Sequence, residues 1–203
     1  MFYILDTETT GSSSTDQVIE LAWLKIANNV QTLGVLESHV SRYNPSIPIT
    51  DRAFQVHGIS KRQLMKDRCS PSSTIELPKD MVYLIAHNAS FDHRMLEQTI
   101  GKPLLHHEQT GSNESWVTPV KVICTIKLIK ALEKLQGGKF GFVDYKLETI
   151  FSFWFPEQKD WLQKNAHSAL GDCKMLHAIL LKSLQCFPHV ESLESLFKLA
   201  KLV

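Results

Sequence analysis

Four consecutive bulky apolar residues, Phe2, Tyr3, Ile4 and Leu5, stop abruptly at two carboxylates one residue apart, Asp6 and Glu8. An unbroken apolar run this short reads as a buried strand, and a buried strand needs a sheet with something packed on it. The same design returns at residues 81–87 (MVYLIAH), where a second buried-looking strand again runs straight into polar residues.

Residues 17–26 (QVIELAWLKI) alternate well enough for another strand. Asn28-Asn29 supply turn chemistry, and residues 32–40 read as a third strand, antiparallel to its predecessor. Prolines follow, then a helical turn from about Asp51 and a helix start led by Ser60. A further helix begins near Ser90. The polar stretch 106–115 (HHEQTGSNES) reads as a surface loop or insertion, and residues 120–124 (VKVIC) as the last strand. From Thr125 the pattern is helical, clearest over about 167–185. It ends in a short amphipathic helix whose Leu193, Leu196 and Phe197 would either close the core or meet a second copy of the chain. A strand hairpin first and strand–helix alternation later predict an α/β fold, a mixed sheet with helices on it. With no repeats and no linker, residues 1–203 are expected to form a single domain.

Bulk properties exclude several classes. A formal net charge of +1 does not suit a strongly basic, duplex-coating protein. The four cysteines are scattered, with no C-x-x-C pair, which argues against a zinc framework or disulfide scaffold and suits a reducing cytosol. No signal pattern opens the chain and no apolar run reaches the roughly 20 residues of a membrane span, so a cytoplasmic location without membrane association is expected.

The carboxylates carry the chemistry. Side chains two apart on a strand share a face, so Asp6 and Glu8 can converge on one site. Alone, the pair fits a solvated turn as well as a cation. Asp92 follows the second buried strand in the first turn of a helix, where Ser90 as an N-cap and the positive helix end would also account for it. Asp172 is harder to explain structurally. It and Gly171 are poor interior helix residues, yet they lie within the pattern of residues 167–185. Asp172 also falls on the stripe of Met175, Leu176 and Ile179, which should face inward. No Arg or Lys sits one turn away on that stripe, so its charge needs a partner from another element or a metal ion. His167 precedes Asp172 by five residues, at or before the helix start. His39, His106, His107, His177 and His189 read as ordinary surface or packed residues.

The segments D-T-E-T-T-G (6–11), H-N-A-S-F-D (87–92) and H-S-A-L-G-D (167–172) together resemble the DEDDh (DnaQ-like) 3′–5′ exonucleases, in order and in spacing. V-I-E-L-A (18–22), V-H-G-I-S (56–60) and I-C-T-I-K-L (123–128) add to the likeness, which is greatest to the bacterial exonuclease X group and the epsilon proofreading subunit of DNA polymerase III. The resemblance implies a ribonuclease-H-like fold with a five-stranded mixed sheet flanked by helices. It implies that Asp6, Glu8, Asp92 and Asp172 bind metal and that His167 is the general base. A neighbouring subclass carries Tyr four residues before the last Asp; here that residue is Ser168, which favours the histidine subclass. The segment 101–119 is longer than in exonuclease X relatives. The resemblance further offers Thr7, Thr9 and Thr10 as holders of the terminal nucleotide, with Glu20, His57 and Phe91 as further pocket candidates. Lys61, Arg62, Lys66 and Arg68 could track phosphates or simply form a solvated helix face.

Phosphodiester hydrolysis adds hydroxide to an anionic centre and expels an oxyanion, and two divalent ions can serve both steps. All-oxygen ligands suit Mg²⁺ or Mn²⁺. On this reading Asp6 bridges the ions, Glu8 and Asp172 complete one shell, and Asp92 serves the other. His167 takes the proton from water, a role that suits an imidazole around neutral pH. The expected partner is a nucleic acid with a free 3′ end, single-stranded or frayed DNA first and RNA second. A binding module without catalysis is a third reading, which the presence of all five residues disfavours. Protein partners, oligomeric state and the choice among repair, proofreading and degradation are left open.

Overall fold

The computed structural model describes residues 1–29, 33–109, 115–187, 190 and 192–200. The first half contains β1 (Phe2–Thr9), β2 (Val18–Ile26), β3 (Val35–Asn44), α1 (Asp51–His57), α2 (Lys61–Lys66), β4 (Ser70–Pro71), β5 (Tyr83–Ala86) and α3 (Ala89–Ile100). The second half contains β6 (Leu105–Gln109), β7 (Ser115–Pro119), β8 (Lys121–Cys124), α4 (Thr125–Leu135), α5 (Leu147–Trp154), α6 (Lys159–Asn165), α7 (Ala169–Gln185) and α8 (Leu193–Leu199).

The main sheet has the order β4-β3-β2-β1-β5-β8. β1, β2 and β3 are antiparallel neighbours, while β5 and β8 run parallel to β1, so the sheet is mixed. It contains the five expected strands plus β4, a two-residue strand pairing only with Tyr43 and Asn44 at the end of β3.

Alternation along β1 sorts its side chains between two layers. Phe2 and Ile4 pack with Cys173, Leu176 and Leu180 of α7, while Tyr3 and Leu5 pack with Met95 and Leu96 of α3. Both faces are therefore covered, which is why the run is apolar at every position. Leu193, Leu196 and Phe197 of α8 join the α7-side core and are fully buried. The terminal helix thus closes the core, because its apolar stripe meets the open end of that layer.

Three local expectations are corrected. The stretch read as a loop at 106–115 contributes to a two-stranded hairpin, β6 with β7, in register from Leu105↔Pro119 to Gln109↔Ser115; residues 110–114 lie outside the described residues. Main-chain pairing holds such a ribbon, and polar composition does not reveal it. α3 is capped not by Ser90 but by Asn88, whose left-handed backbone (φ 60°) turns the chain one residue before the helix. α7 begins at Ala169, so Gly171 and Asp172 occupy its first turn rather than its interior, where their poor propensity matters little.

Gly171 has a stricter role. A Cβ there would sit far inside van der Waals contact with the Asn165 carbonyl oxygen and 2.7 Å from Ser168 Oγ. The end of α6 and the start of α7 meet across this hydrogen atom, and neither backbone can yield cheaply. Gly171→Ala is accordingly expected to destabilise the protein by about 3 kcal/mol, as an overpacked site. A thermal melt checks it; a melting temperature equal to that of the unmodified chain would remove the close-approach explanation.

Candidate active site

β1 ends with even-numbered residues facing α7 and odd-numbered ones facing α3. Asp6 and Glu8 therefore point towards the start of α7, where Asp172 lies. Ligand-capable oxygens of Asp6, Glu8 and Asp172 all fall within 4.8 Å of one another. Thr7, on the other parity, donates through Oγ1 to Asp92 Oδ1 at 2.8 Å, which holds the fourth carboxylate against the same strand end. Sequence positions spread from 6 to 172 thus meet beside the second half of β1, an inner strand of the sheet.

These carboxylates strain each other. Burial, then the charges of Asp92, Asp172 and Glu8, push Asp6 well above the ordinary carboxylate range. Burial, with the charges of Asp172, Glu20 and Asp92, raises Glu8 to about 8. Burial raises Asp92 to about 7 against the opposing hydrogen bond from Thr7. Burial also raises Asp172 to about 7, opposed by a hydrogen bond from the His167 backbone. Asp172 Oδ1 is buried without a hydrogen-bond partner. An orphaned carboxylate oxygen beside two further carboxylates is a donor set for a hard divalent cation, so the residues fit the expected metal chemistry.

A pH effect follows. Each of these groups has a native pKa above its unfolded value, so the native state holds more protons and loses stability as pH rises through the native values. His57 and His87, both lowered by burial, oppose the trend, chiefly at the acid end of the range. The N-terminal amine, held below its ordinary value by burial, opposes the trend with one group. In EDTA the melting temperature should fall by about 5 °C between pH 7 and 8.5, and Mg²⁺ or Mn²⁺ at pH 8.5 should restore it. A flat or rising profile would contradict the mutual-repulsion account.

The start of α7 is built to hold Asp172 in place. Ser168 caps it, accepting from the Gly171 N–H at 3.2 Å and donating to the Asn165 carbonyl at 2.7 Å. The Ala169 N–H donates to Glu20 Oε1 at 3.0 Å, and Glu20 is itself paired with Arg42 Nε at 2.6 Å. Glu20 lies opposite Glu8 on β1 and opposite Arg42 on β3. The arginine pairs with this carboxylate, whose charge still adds to the repulsion felt by Asp6 and Glu8. Glu20 thereby fastens β2 to the helix carrying Asp172.

His167 sits just ahead of this cap with a left-handed backbone, φ 61°. Its half-exposed ring places Nε2 3.2 Å from Glu148 Oε1 on α5. Glu148 is a site residue that sequence reasoning missed. A glutamate in the first turn of an amphipathic helix reads as a solvated N-terminal acid, and no local pattern ties it to His167.

Beside Glu8 opens a cleft of about 850 Å³ lined by Thr7, Thr9, His57, Phe91 and Arg52 among others. Gly11 and Asp16 shape one wall, because a Cβ on Gly11 would lie 2.6 Å from the Asp16 carboxylate. Arg94 and Gln98 of α3 donate to the Ser12, Ser13 and Asp16 carbonyls and brace that wall. Within the cleft, His57 Nδ1 accepts from the Ile59 N–H, so Nε2 donates to the Thr9 carbonyl at 3.2 Å. Phe91 is partly buried, with the Arg94 guanidinium 5.5 Å above its ring. Thr10 lies outside the cleft: fully buried, it donates to Asp16 Oδ1 at 2.6 Å. Glu20 is also outside. The cleft's basic residue is Arg52 of α1, which the sequence reading did not single out. Lys61, Arg62, Lys66 and Arg68 lie on or just after α2, and Lys61 Nζ donates to the Ile47 carbonyl.

A family model described as Exonuclease (RNase_T) matches residues 3–180. The DNA polymerase III PolC-type proteins of Thermotoga petrophila and Thermotoga maritima are each 30% identical to this chain over 152 residues, covering 72% of it and 10% of their own length. The chain therefore spans about a tenth of these curated relatives. Among solved structures, exonuclease X in complex with 5′ overhanging duplex DNA aligns with a TM-score of 0.63 at 20% identity, covering 98% of this chain and 99% of that one. Exonuclease I of E. coli in complex with a dT13 oligonucleotide aligns with a TM-score of 0.69 at 16% identity, covering 93% and 42%. At these identities the structures share the fold, a ribonuclease-H-like mixed sheet flanked by helices. Among the described residues, no helix is long and apolar enough to cross a membrane.

Proposed function

This chain belongs to the RNase_T exonuclease family as a DEDDh-type 3′–5′ exonuclease, and from that premise we propose that it releases 5′-mononucleotides from the 3′ end of single-stranded or frayed DNA. The observation that carries the proposal is the convergence of Asp6, Glu8 and Asp172 within 4.8 Å, with Asp172 Oδ1 buried and unpartnered. Two divalent cations, Mg²⁺ or Mn²⁺, would supply an activated water and charge neutralisation at the leaving 3′-oxygen when bound. Asp6, Glu8 and Asp172 would hold one of them, and Asp92 with Asp6 the other.

The remaining roles belong to the chain's own side chains. His167 receives the proton of the attacking water, and Glu148, 3.2 Å from its Nε2, orients the ring and stabilises it once charged. The cleft beside Glu8 receives the terminal nucleotide, with Thr7, Thr9, His57 and Phe91 on its walls and Arg52 available to a phosphate. Thr10 and Glu20 act from behind, one bracing the loop at Asp16 and the other anchoring α7. DNA is preferred over RNA because the PolC-type relatives are DNA polymerases and both similar nuclease structures hold DNA. Residues 1–203 act as one exonuclease domain, a reading supported by α8 filling the same core as β1 and α7.

The test is Mg²⁺-dependent release of mononucleotides from 3′-labelled strands, with DNA and RNA oligomers of one sequence compared side by side. DNA should be degraded faster; no release from either strand with Mg²⁺ or Mn²⁺ would refute the proposal.

A further inference from the structure

We propose that the exposed face of α4, continued by Lys139 in the loop after it, carries the sugar–phosphate backbone of the substrate strand upstream of its 3′ end. The inference rests on the nuclease reading above and extends the substrate contact beyond the cleft.

Lys127, Lys130 and Lys134 are all exposed and stand at i, i+3 and i+7, one stripe of the helix, while Leu128, Ile129 and Leu132 on the other side are fully buried. Between Thr125 and Val143 the sole acidic residue is Glu133. It is 6% exposed, and its oxygens are taken by the Phe140 N–H at 2.9 Å and the Tyr145 hydroxyl. Among the described residues, the ion pairs formed by Lys and Arg involve Lys25, Arg42, Lys146 and Lys198, none of them on this stripe. The face thus bears uncompensated positive charge in a chain whose formal net charge is only +1. Such a local field suits a polyanion. By contrast, the basic residues of α2 include Lys61, spent on a carbonyl, and neighbour the acidic Asp67.

The stripe is also tied to the catalytic centre. Thr125, the first residue of α4, shares a 2.9 Å hydrogen bond between its Oγ1 and His87 Nδ1. Nε2 of the same ring lies 2.7 Å from the Tyr145 carbonyl, which accepts from it. His87 immediately precedes the Asn88 cap of the helix that bears Asp92. Lys130 Nζ in turn lies 4.6 Å above the Tyr145 ring. One partly buried histidine therefore fixes the basic helix and its following loop to the carboxylate-bearing helix. Residues 127–134 cover about 10 Å of helix axis, long enough for the three lysines to reach successive phosphates of one strand.

The experiment uses the full chain with Lys127, Lys130 and Lys134 all replaced by alanine, and compares kcat/KM on a DNA dinucleotide and a 20-mer from 50 to 200 mM salt. The loss on the 20-mer should exceed that on the dinucleotide by about tenfold at the lowest salt. The slope of log(kcat/KM) against log[salt] on the 20-mer should fall by about 2, at ~0.7 for each phosphate contact to a single strand. The triple Lys→Arg variant should retain both values. An unchanged slope, or equal losses on the two substrates, overturns the proposal. Binding of a fluorescent 20-mer in EDTA separates it from the nuclease reading. If the unmodified chain hydrolyses nothing, weaker and less salt-dependent binding by the alanine variant still supports the surface, and equal binding overturns it.

Discussion

Asp6→Asn is expected to lower Mg²⁺-dependent mononucleotide release by about a thousandfold or more, while raising the melting temperature of the metal-free protein. Asp6 lies in the second half of β1, where its oxygens are close to those of both Glu8 and Asp172. It also takes the charges of Asp92, Asp172 and Glu8 at once, on top of its own burial. Asparagine preserves shape and one carbonyl acceptor but removes the charge. Cation affinity then falls because a central anionic ligand is gone. The metal-free site relaxes because three carboxylates repel less than four. The pairing of lost activity with gained stability is the informative part, since a variant that merely unfolds cannot produce it. Single-turnover release from a 3′-labelled strand and a melt in EDTA measure the two halves. Activity within tenfold of the unmodified chain, or a lowered melting temperature, would refute the assignment.

His167→Asn should slow turnover by about 10²- to 10⁴-fold, the usual worth of a general base, while leaving metal affinity nearly intact. Asparagine is chosen for a structural reason. The backbone at 167 has φ 61°, a left-handed conformation that asparagine adopts more readily than alanine. The asparagine variant keeps the Ser168 cap and the orientation of Asp172, and so isolates the imidazole. Its measurement is turnover on a 3′-labelled strand alongside calorimetric titration with Mn²⁺. Loss of Mn²⁺ binding would move His167 from proton transfer to metal ligation or scaffolding. Turnover within a few-fold of the unmodified chain would remove it from catalysis altogether.

Much of the centre was legible because its logic is local. Asp6 and Glu8 share strand parity with Phe2 and Ile4, so a period of two already aimed them at the layer that α7 fills. Asp172 lay on the stripe of Met175, Leu176 and Ile179, and its lack of a cationic neighbour on that stripe is realised as an unpartnered buried oxygen. Helix starts were legible where a hydroxyl capped them: Ser60 accepts from the Gln63 N–H, and Ser168 from the Gly171 N–H. The start of α3 was misread because Asn88 turns the chain through a left-handed backbone without any side-chain cap bond, leaving Ser90 as the apparent signal.

What the sequence by itself determined is the kind of chemistry: two carboxylates of one parity following a buried apolar run, an inward-facing aspartate with no cationic partner on its stripe, and a histidine five residues before it. Tertiary structure alone decided which groups support them. Glu20 reaches the Ala169 N–H across 149 residues, Glu148 meets His167 from a different helix, and Gly171 is required by a carbonyl on α6. Periodicity and capping arise from contacts within one or two turns of the chain, so they are written into neighbouring residues. The supporting contacts arise where separate layers pack against each other, and that meeting depends on the register and approach of whole elements, which no short stretch of sequence specifies.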